Sequence, residues 1–386
     1  MKNPFARRPR SGRRLIAAAA GLLAATALSV VAAGAHAAST TSPELGCLAP
    51  GHQAARVGHI SGIVHATQRH CLAHNTSDAA IGAPPLIFHG GPMMSTARTG
   101  PLVVTPIYWQ PAGHPIDGKY ESILNQYLSG VAADSGKHTN VFSTLSEYYG
   151  SNGNIRYKVS FGSVIDDTDH LPANGCTVAT NDTTKIYADG SGYDSCLDDD
   201  QIIAETDHVV DSRGLPRDLA HIYVMFLPQH VESCFYPGST TTGANFCTIN
   251  HHKSAAYCAY HSQAPSGTVY ANMPFPIYHS DAGYTCSSDA SFATVQTPNG
   301  NPDADTEVSP TSHEIMEATT DPDTVTGWFD RVGYENGDEC AYVFGQTSGT
   351  DGQLYNQVIA GNHYLTQEEF SNNDFARTGL GCLPYE

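Results

Sequence analysis

Basic residues are scarce in this chain: 19 Lys+Arg stand against 38 Asp+Glu over 386 residues. Six of the 19, Lys2, Arg7, Arg8, Arg10, Arg13 and Arg14, crowd into the start of the chain. Setting residues 1–37 aside leaves 13 basic against 38 acidic residues, a formal charge of −25 with His neutral. So acidic a body argues against a nucleic-acid partner and against anionic membrane surfaces, which select basic patches. It suits an extracellular protein that stays soluble or binds cations. No apolar run after Ala33 is long enough to span a bilayer. There is no C-x-x-C pair, so a zinc ribbon or a thioredoxin-like redox site is disfavoured. There is no G-x-S-x-G elbow for a serine nucleophile and no internal repeat.

What is present begins with a leader. The basic start is followed by the Ala-rich apolar run Leu15 to Ala33 and by Ala35-His36-Ala37, a small-residue cleavage site before Ala38. Residues 1–37 therefore read as a secretory signal peptide, with Arg13-Arg14-Leu15-Ile16 loosely resembling a twin-arginine signal. The competing reading is an uncleaved transmembrane helix. All ten cysteines follow the leader, and an even count in an exported chain points to disulfides. Pairing sequence neighbours gives 47–71, 176–196, 234–247, 258–286 and 340–382. Residues 38–85 are polar and carry His52, His59, His65, His70 and His74 at irregular spacing. They read as a surface extension tied by Cys47 and Cys71, with a propeptide or His-rich metal-capture segment as alternatives. Residues 86–386 are expected to form one domain.

The domain alternates strands and helices. Leu86 to Met93 is an apolar run closed by a turn. Leu102 to Trp109 is β-branched and aromatic, a strand in which Pro106 marks an edge or bulge. Tyr120 to Val131 has helical spacing, Val141 to Tyr149 reads as a second helix, and Ile155 to Phe161 alternates as a strand. Asp198-Asp199-Asp200 opens a helix, as its dipole favours, in preference to a calcium site. Ile222 to Pro228 is a continuous apolar run, a central buried strand. Cys234 to Cys286 is loop-rich, with a short strand at Val269 to Met273 along which an extended peptide could pair. Ser309 is a helix N-cap candidate with Pro310 at the first helical position, and Asp321-Pro322 ends the helix. Two late strands are expected around Tyr342-Val343-Phe344 and Gln357-Val358-Ile359. The order predicts an α/β (α+β) fold, a zincin-like mixed sheet with packed helices and a disulfide-rich, loop-rich second half.

The helix so bounded carries the chemistry. His313-Glu314-Ile315-Met316-Glu317 is an H-E-x-x-E pattern, one residue away from the H-E-x-x-H of zinc proteases. His313 and Glu317, four apart, share a helix face and can offer a nitrogen and an oxygen to one ion. Glu314 projects about 100° away and is placed to be the general base. The third ligand must come from beyond the helix. Glu335 is the choice, eighteen residues after Glu317, with Asp338 as an acceptor orienting His313 or as the ligand itself. Asp321 and Asp323 are rivals. Tyr334 or His279 could donate to an oxyanion. One His with two carboxylates is a harder set than two His with one, so Mn2+ or Ca2+ would also suit a site otherwise expected to hold Zn2+. His251-His252 and His261, in the Cys-rich region, read as surface or packing histidines. No stretch nominates a glycosidase carboxylate pair.

Several short motifs also resemble a known family. They are His89-Gly90-Gly91-Pro92-Met93 with Ile107-Tyr108-Trp109, Cys258-Ala259-Tyr260-His261, Ser312-His313-Glu314 with Glu317 to Pro322, Gly327-Trp328, and Tyr364-Leu365-Thr366-Gln367. Together they span roughly residues 86–382 and are similar to the secreted phosphate-induced/Exordium-like family. The resemblance implies export and one long domain. Plant members of that family are wall-associated proteins linked to growth, without the His and Glu of this helix. Bacterial relatives keep the H-E-x-x-E-A-x-T-D-P form and resemble zinc-dependent proteases. Two expectations follow. One is a secreted metal-dependent peptidase acting on a polypeptide. The other is a non-catalytic extracellular protein that binds cell-wall polymer or glycan.

Overall fold

A computed structural model describes residues 61–62, 83–178, 187, 190–235, 247–248, 257–276, 286–288, 291–292, 294–331 and 333–385. All belong to the unit Pro43–Glu386. Residues 1–37, most of the 38–85 extension with Cys47 and Cys71, and His251, His252 and His279 lie outside the described residues.

In chain order the strands begin with β1 (Ser61–Gly62), β2 (Ile87–Phe88) and β3 (Leu102–Trp109). Helix α1 (Gly118–Ala133) and a 3-10 helix (Val141–Glu147) follow. The short strands β4 (Tyr149–Gly150) and β5 (Gly153–Asn154), then β6 (Val159–Phe161), β7 (Ile165–Asp167) and β8 (Ser195–Asp198) lead to α2 (Asp199–Ser212). Next come β9 (His221–Phe226), β10 (Val231–Cys234), β11 (Tyr260–Gln263), β12 (Val269–Met273) and the long helix α3 (Pro302–Thr320). The tail holds β13 (Trp328–Phe329), β14 (Gln357–Ile359), β15 (Asn362–Tyr364), β16 (Glu369–Phe370), α4 (Asn372–Thr378) and β17 (Cys382–Leu383). The architecture is mixed α/β, as expected, with a mixed main sheet.

That sheet runs β1-β11-β12-β9-β3-β6, with β7 also on β3. Strands β12, β9, β3, β6 and β7 pair in parallel, while β11 is antiparallel to β12 and β1 is antiparallel to β11. Both faces are covered, which explains the unbroken apolar run in β9. Ile222, Val224 and Phe226 enter one core, shared with α1 and α3. Tyr223 and Met225 enter the opposite core, shared with α2. Burying each such side chain contributes about 1.5–3 kcal/mol. Pro106 sits in the interior strand β3, not at an edge. Strand β6 pairs with Leu102 to Val104 and β7 with Ile107 to Trp109, so the residue without an N–H falls at the gap between them.

Several expectations are corrected. Helix α3 starts at Pro302, capped by the Asn301 side chain on Ala304 N–H, and Pro310 is interior to it. Asn301-Pro302 carries the same cap-then-proline signature as Ser309-Pro310, one helix segment earlier. Strand β12 is paired on both sides, so no peptide can add to it; its neighbour β11 is flanked in turn by the two-residue β1, the outer strand of the sheet. Residues 342–344 form no strand, and Tyr342 has φ 60°. Only the end of the 155–161 stretch is strand. The Asp run does open α2, with Asp198 and Gln201 forming a capping box.

Four disulfides are formed: Cys176–Cys196, Cys234–Cys247, Cys258–Cys286 and Cys340–Cys382. Each joins sequence neighbours. Cys340–Cys382 ties the 3-10 turn Asp338–Cys340 to β17, across a separation of 42 residues. Replacing both cysteines by alanine is expected to lower unfolding stability by about 4 kcal/mol on a chain-entropy basis. Urea unfolding of the double variant beside the parent measures the loss.

Candidate metal centre

Helix α3 packs against α1 and lies across β11 and β12. It is buried nearly all round, although its second half is polar: His313, Glu314 and Glu317 have no exposed surface. The helix stops where Asp321 leaves helical geometry at φ −150°, ahead of Pro322. The chain then reverses through Gly327, at φ 103°, where a Cβ would meet the Thr320 carbonyl at 2.5 Å. The His89-Gly90-Gly91 segment clasps this turn. His89 N–H donates to the Gly327 carbonyl at 2.7 Å, and Gly327 N–H donates to the Gly90 carbonyl at 2.8 Å. The returning chain delivers Glu335 and Asp338 to the helix.

The turn carrying those two acids is held tightly. Asn336 Nδ2 donates to Glu369 Oε2 of β16 at 3.1 Å, and Thr320 Oγ1 donates to Asn336 Oδ1 at 3.1 Å. Gln367 Nε2 donates to the Gly337 carbonyl at 2.6 Å. Asp338 N–H donates to Glu317 Oε1 at 3.0 Å, which fixes that carboxylate. Gly337 lies flat against the His313 ring; a Cβ there would stand 2.6 Å from Nδ1.

Around these supports the side chains converge. His313 Nε2 is 2.8 Å from Glu317 Oε1 and 3.6 Å from Asp338 Oδ1. Neither approach has hydrogen-bond alignment, and His313 Nε2, Glu317 Oε2, Glu314 Oε1 and Asp338 Oδ1 are buried without a hydrogen-bond partner. Buried polar atoms normally find one. Close, unaligned nitrogen and carboxylate donors are what a cation between them would satisfy. His313, Glu314 and Glu317 each offer a donor atom within 4.8 Å of the others, and so do His261, Glu317 and Glu335. These groups could hold a metal ion.

Of the acids nominated from sequence, Glu317, Glu314, Glu335 and Asp338 are all in the cluster, with Glu335 on the His261 side. Asp321 contributes its carbonyl, which lies 3.0 Å from His261 Nε2. Asp323 serves the turn instead, accepting from Val325 N–H, Thr326 N–H and Thr326 Oγ1. Tyr334 is buried, with its backbone N–H on Asp330. His261 corrects the sequence reading. It is no surface histidine but a fully buried one on β11, with Nδ1 3.2 Å from Glu314 Oε2 and 3.6 Å from Glu317 Oε2. Only a strand pairing remote in sequence brings it there, and its one signal was the Cys258-Ala259-Tyr260-His261 motif. A separate surface group, Asp169, Glu205 and His208, was also missed.

Electrostatics set the protonation of the metal-free cluster. Burial pulls both imidazoles down, yet the carboxylates outweigh it. Glu317, Asp338 and Glu314 hold His313 well above its ordinary value, and Glu314, Glu317 and Asp321 raise His261. Burial raises Glu314 against the pull of the two histidines. Burial and then Glu317 push Asp338 up to about 8. Glu369 is raised by burial foremost. No protein-family model matches this chain, and no curated protein or solved structure matches it either.

Two outcomes are expected. Every shifted group of the cluster binds its proton more tightly folded than unfolded. The stability each contributes is complete below its unfolded pKa and is lost as pH rises through its folded one. Chelator-treated protein should therefore melt at lower temperature at pH 9 than at pH 6, with the drop reversed by divalent metal, as differential scanning calorimetry would record. Gly337→Ala should displace the His313 ring and weaken metal binding at least tenfold, read by competition with a chromogenic chelator.

Proposed function

We propose that the chain is a secreted, metal-dependent hydrolase, a peptidase with zinc as its ion, in which His313 and Glu317 are ligands and Glu314 is the general base. The observation that carries it is the 2.8 Å approach of His313 Nε2 to Glu317 Oε1, fully buried and unaligned for a hydrogen bond, on an H-E-x-x-E helix. A bound divalent cation would supply an acidified water and a polarised carbonyl at this point. The chain's own part is proton transfer and positioning. Glu314 Oε2 faces His261 Nδ1, which leaves Oε1 to take a proton from the attacking water and return it to a leaving amine. Asp338 and Glu335 complete an anionic donor set that would also accept Mn2+ or Ca2+.

The substrate reading rests on β11. Its outer edge is covered only by Ser61 and Gly62, opposite His261 and Tyr260, and an extended polypeptide that displaces those two residues could take the edge by strand addition. Four disulfides, the acidic body and the leader-like start support export, and no described helix is long and apolar enough to cross a membrane. The Exordium-like motifs support the same location. A second reading is favoured by the closure of the site. His261, His313, Glu314, Glu317, Glu335 and Asp338 are each at most 1 % exposed, as in a structural ion site. That would fit a non-catalytic extracellular protein binding cell-wall polymer or glycan.

Glu314→Gln separates them. On the hydrolase reading it keeps metal and lowers kcat on an unstructured polypeptide by about 10²–10⁴-fold. On the structural reading the parent does not cleave, and chelator lowers its Tm without changing retention on a polysaccharide matrix. Protein that carries no metal after gentle purification contradicts both.

A further inference from the structure

We propose that the centre is binuclear: Glu317 bridges two divalent cations, one held with His313 and the other with His261 and Glu335. The inference rests on the metal-dependent reading above and extends it to a second ion and a second histidine ligand.

The first argument is distance. Donors to one ion at about 2.0–2.2 Å cannot stand more than about 4.4 Å apart. Among the described residues, no group of donors lying within 4.8 Å of one another contains both histidines. The groups that contain His313 or His261, namely His313-Glu314-Glu317 and His261-Glu317-Glu335, meet only at Glu317. The carboxylate divides between them: Oε1 faces His313 Nε2 at 2.8 Å, and Oε2 faces His261 Nδ1 at 3.6 Å. That is the disposition of a bridging carboxylate.

The second argument is the environment of His261. Its Nε2 faces the Asp321 carbonyl at 3.0 Å and stands 3.9 Å from Glu335 Oε1, and its Nδ1 faces Glu314 Oε2 at 3.2 Å, all acceptors. A neutral imidazole has one N–H. A protonated ring answers both acceptors in the metal-free cluster; a neutral ring that gives its hydrogen to Asp321 turns the Nδ1 lone pair toward two carboxylates, where it can bind a cation. A backbone carbonyl on the far nitrogen of a ligand histidine is the usual orienting contact.

The third argument is charge. Glu314, Glu317, Glu335 and Asp338 are four carboxylates with at most 1 % exposure. Among the described residues, every ion pair that Glu314, Glu317 and Asp338 make is to His261 or His313. With neutral histidine ligands and all four carboxylates ionised, one divalent ion leaves a surplus of two negative charges in a buried site, which is unfavourable there. A second divalent ion cancels it.

The test strips the full chain of metal, reconstitutes it with Zn2+ and counts bound zinc by plasma mass spectrometry after desalting. Two equivalents in the parent and one in His261→Ala are expected. Should His261→Ala fail to fold, the parent loaded with Mn2+ supplies the readout, an exchange-coupled electron paramagnetic resonance signal from ions about 3.5–4 Å apart. One equivalent in the parent, or an uncoupled Mn2+ spectrum, overturns the second ion and leaves the hydrolase reading standing. No bound metal overturns both.

Discussion

Carboxylates gathered in a dry interior repel one another and lose their hydration, and the centre of this fold is built around that cost. Glu314, Glu317, Glu335, Asp338 and Glu369 are all buried around two imidazoles. Such a cluster survives only with protons or cations shared among its members. Helix α3 makes the problem acute because it is enclosed on nearly every side while its second half is polar. The fold accepts an expensive interior where a purely apolar helix would have packed as well. This is the usual mark of a site kept for its chemistry.

The surrounding structure works to keep that interior in register. Strands β9 and β3 supply a sheet with apolar cores on both faces, a rigid floor for α3 and β11. The return of the chain after the helix is fixed at three levels. The Gly327 turn is clasped by His89 to Gly91, the Asn336–Glu369 and Gln367–Gly337 bonds hold the acidic turn, and Cys340–Cys382 closes it covalently. Groups that must meet within a few tenths of an ångström are thus carried by four separate segments.

Much of this was legible in the sequence, for reasons that are local. The four described disulfides join neighbours because short loops close most readily. The end of α3 was legible because Asp321-Pro322 forbids continuation, and the cluster's helical members because their spacing is helical. The start of α3 was not, since two cap-proline signatures precede it and local chemistry does not rank them. His261 was hidden because its role depends on β11 lying beside β12 and under α3, a tertiary fact with no local period. Pro106 suggested an edge, but the interior strand tolerates it because its partner on that side is split in two.

The pairing of Ser61 and Gly62 with β11 has a consequence for solubility. An outer strand with unpaired N–H and carbonyl groups invites the same strand of another copy. Here the ladder of β11 is short and is closed by Ser61 and Gly62 of the same compact unit, which leaves only a two-residue strand at the outer edge.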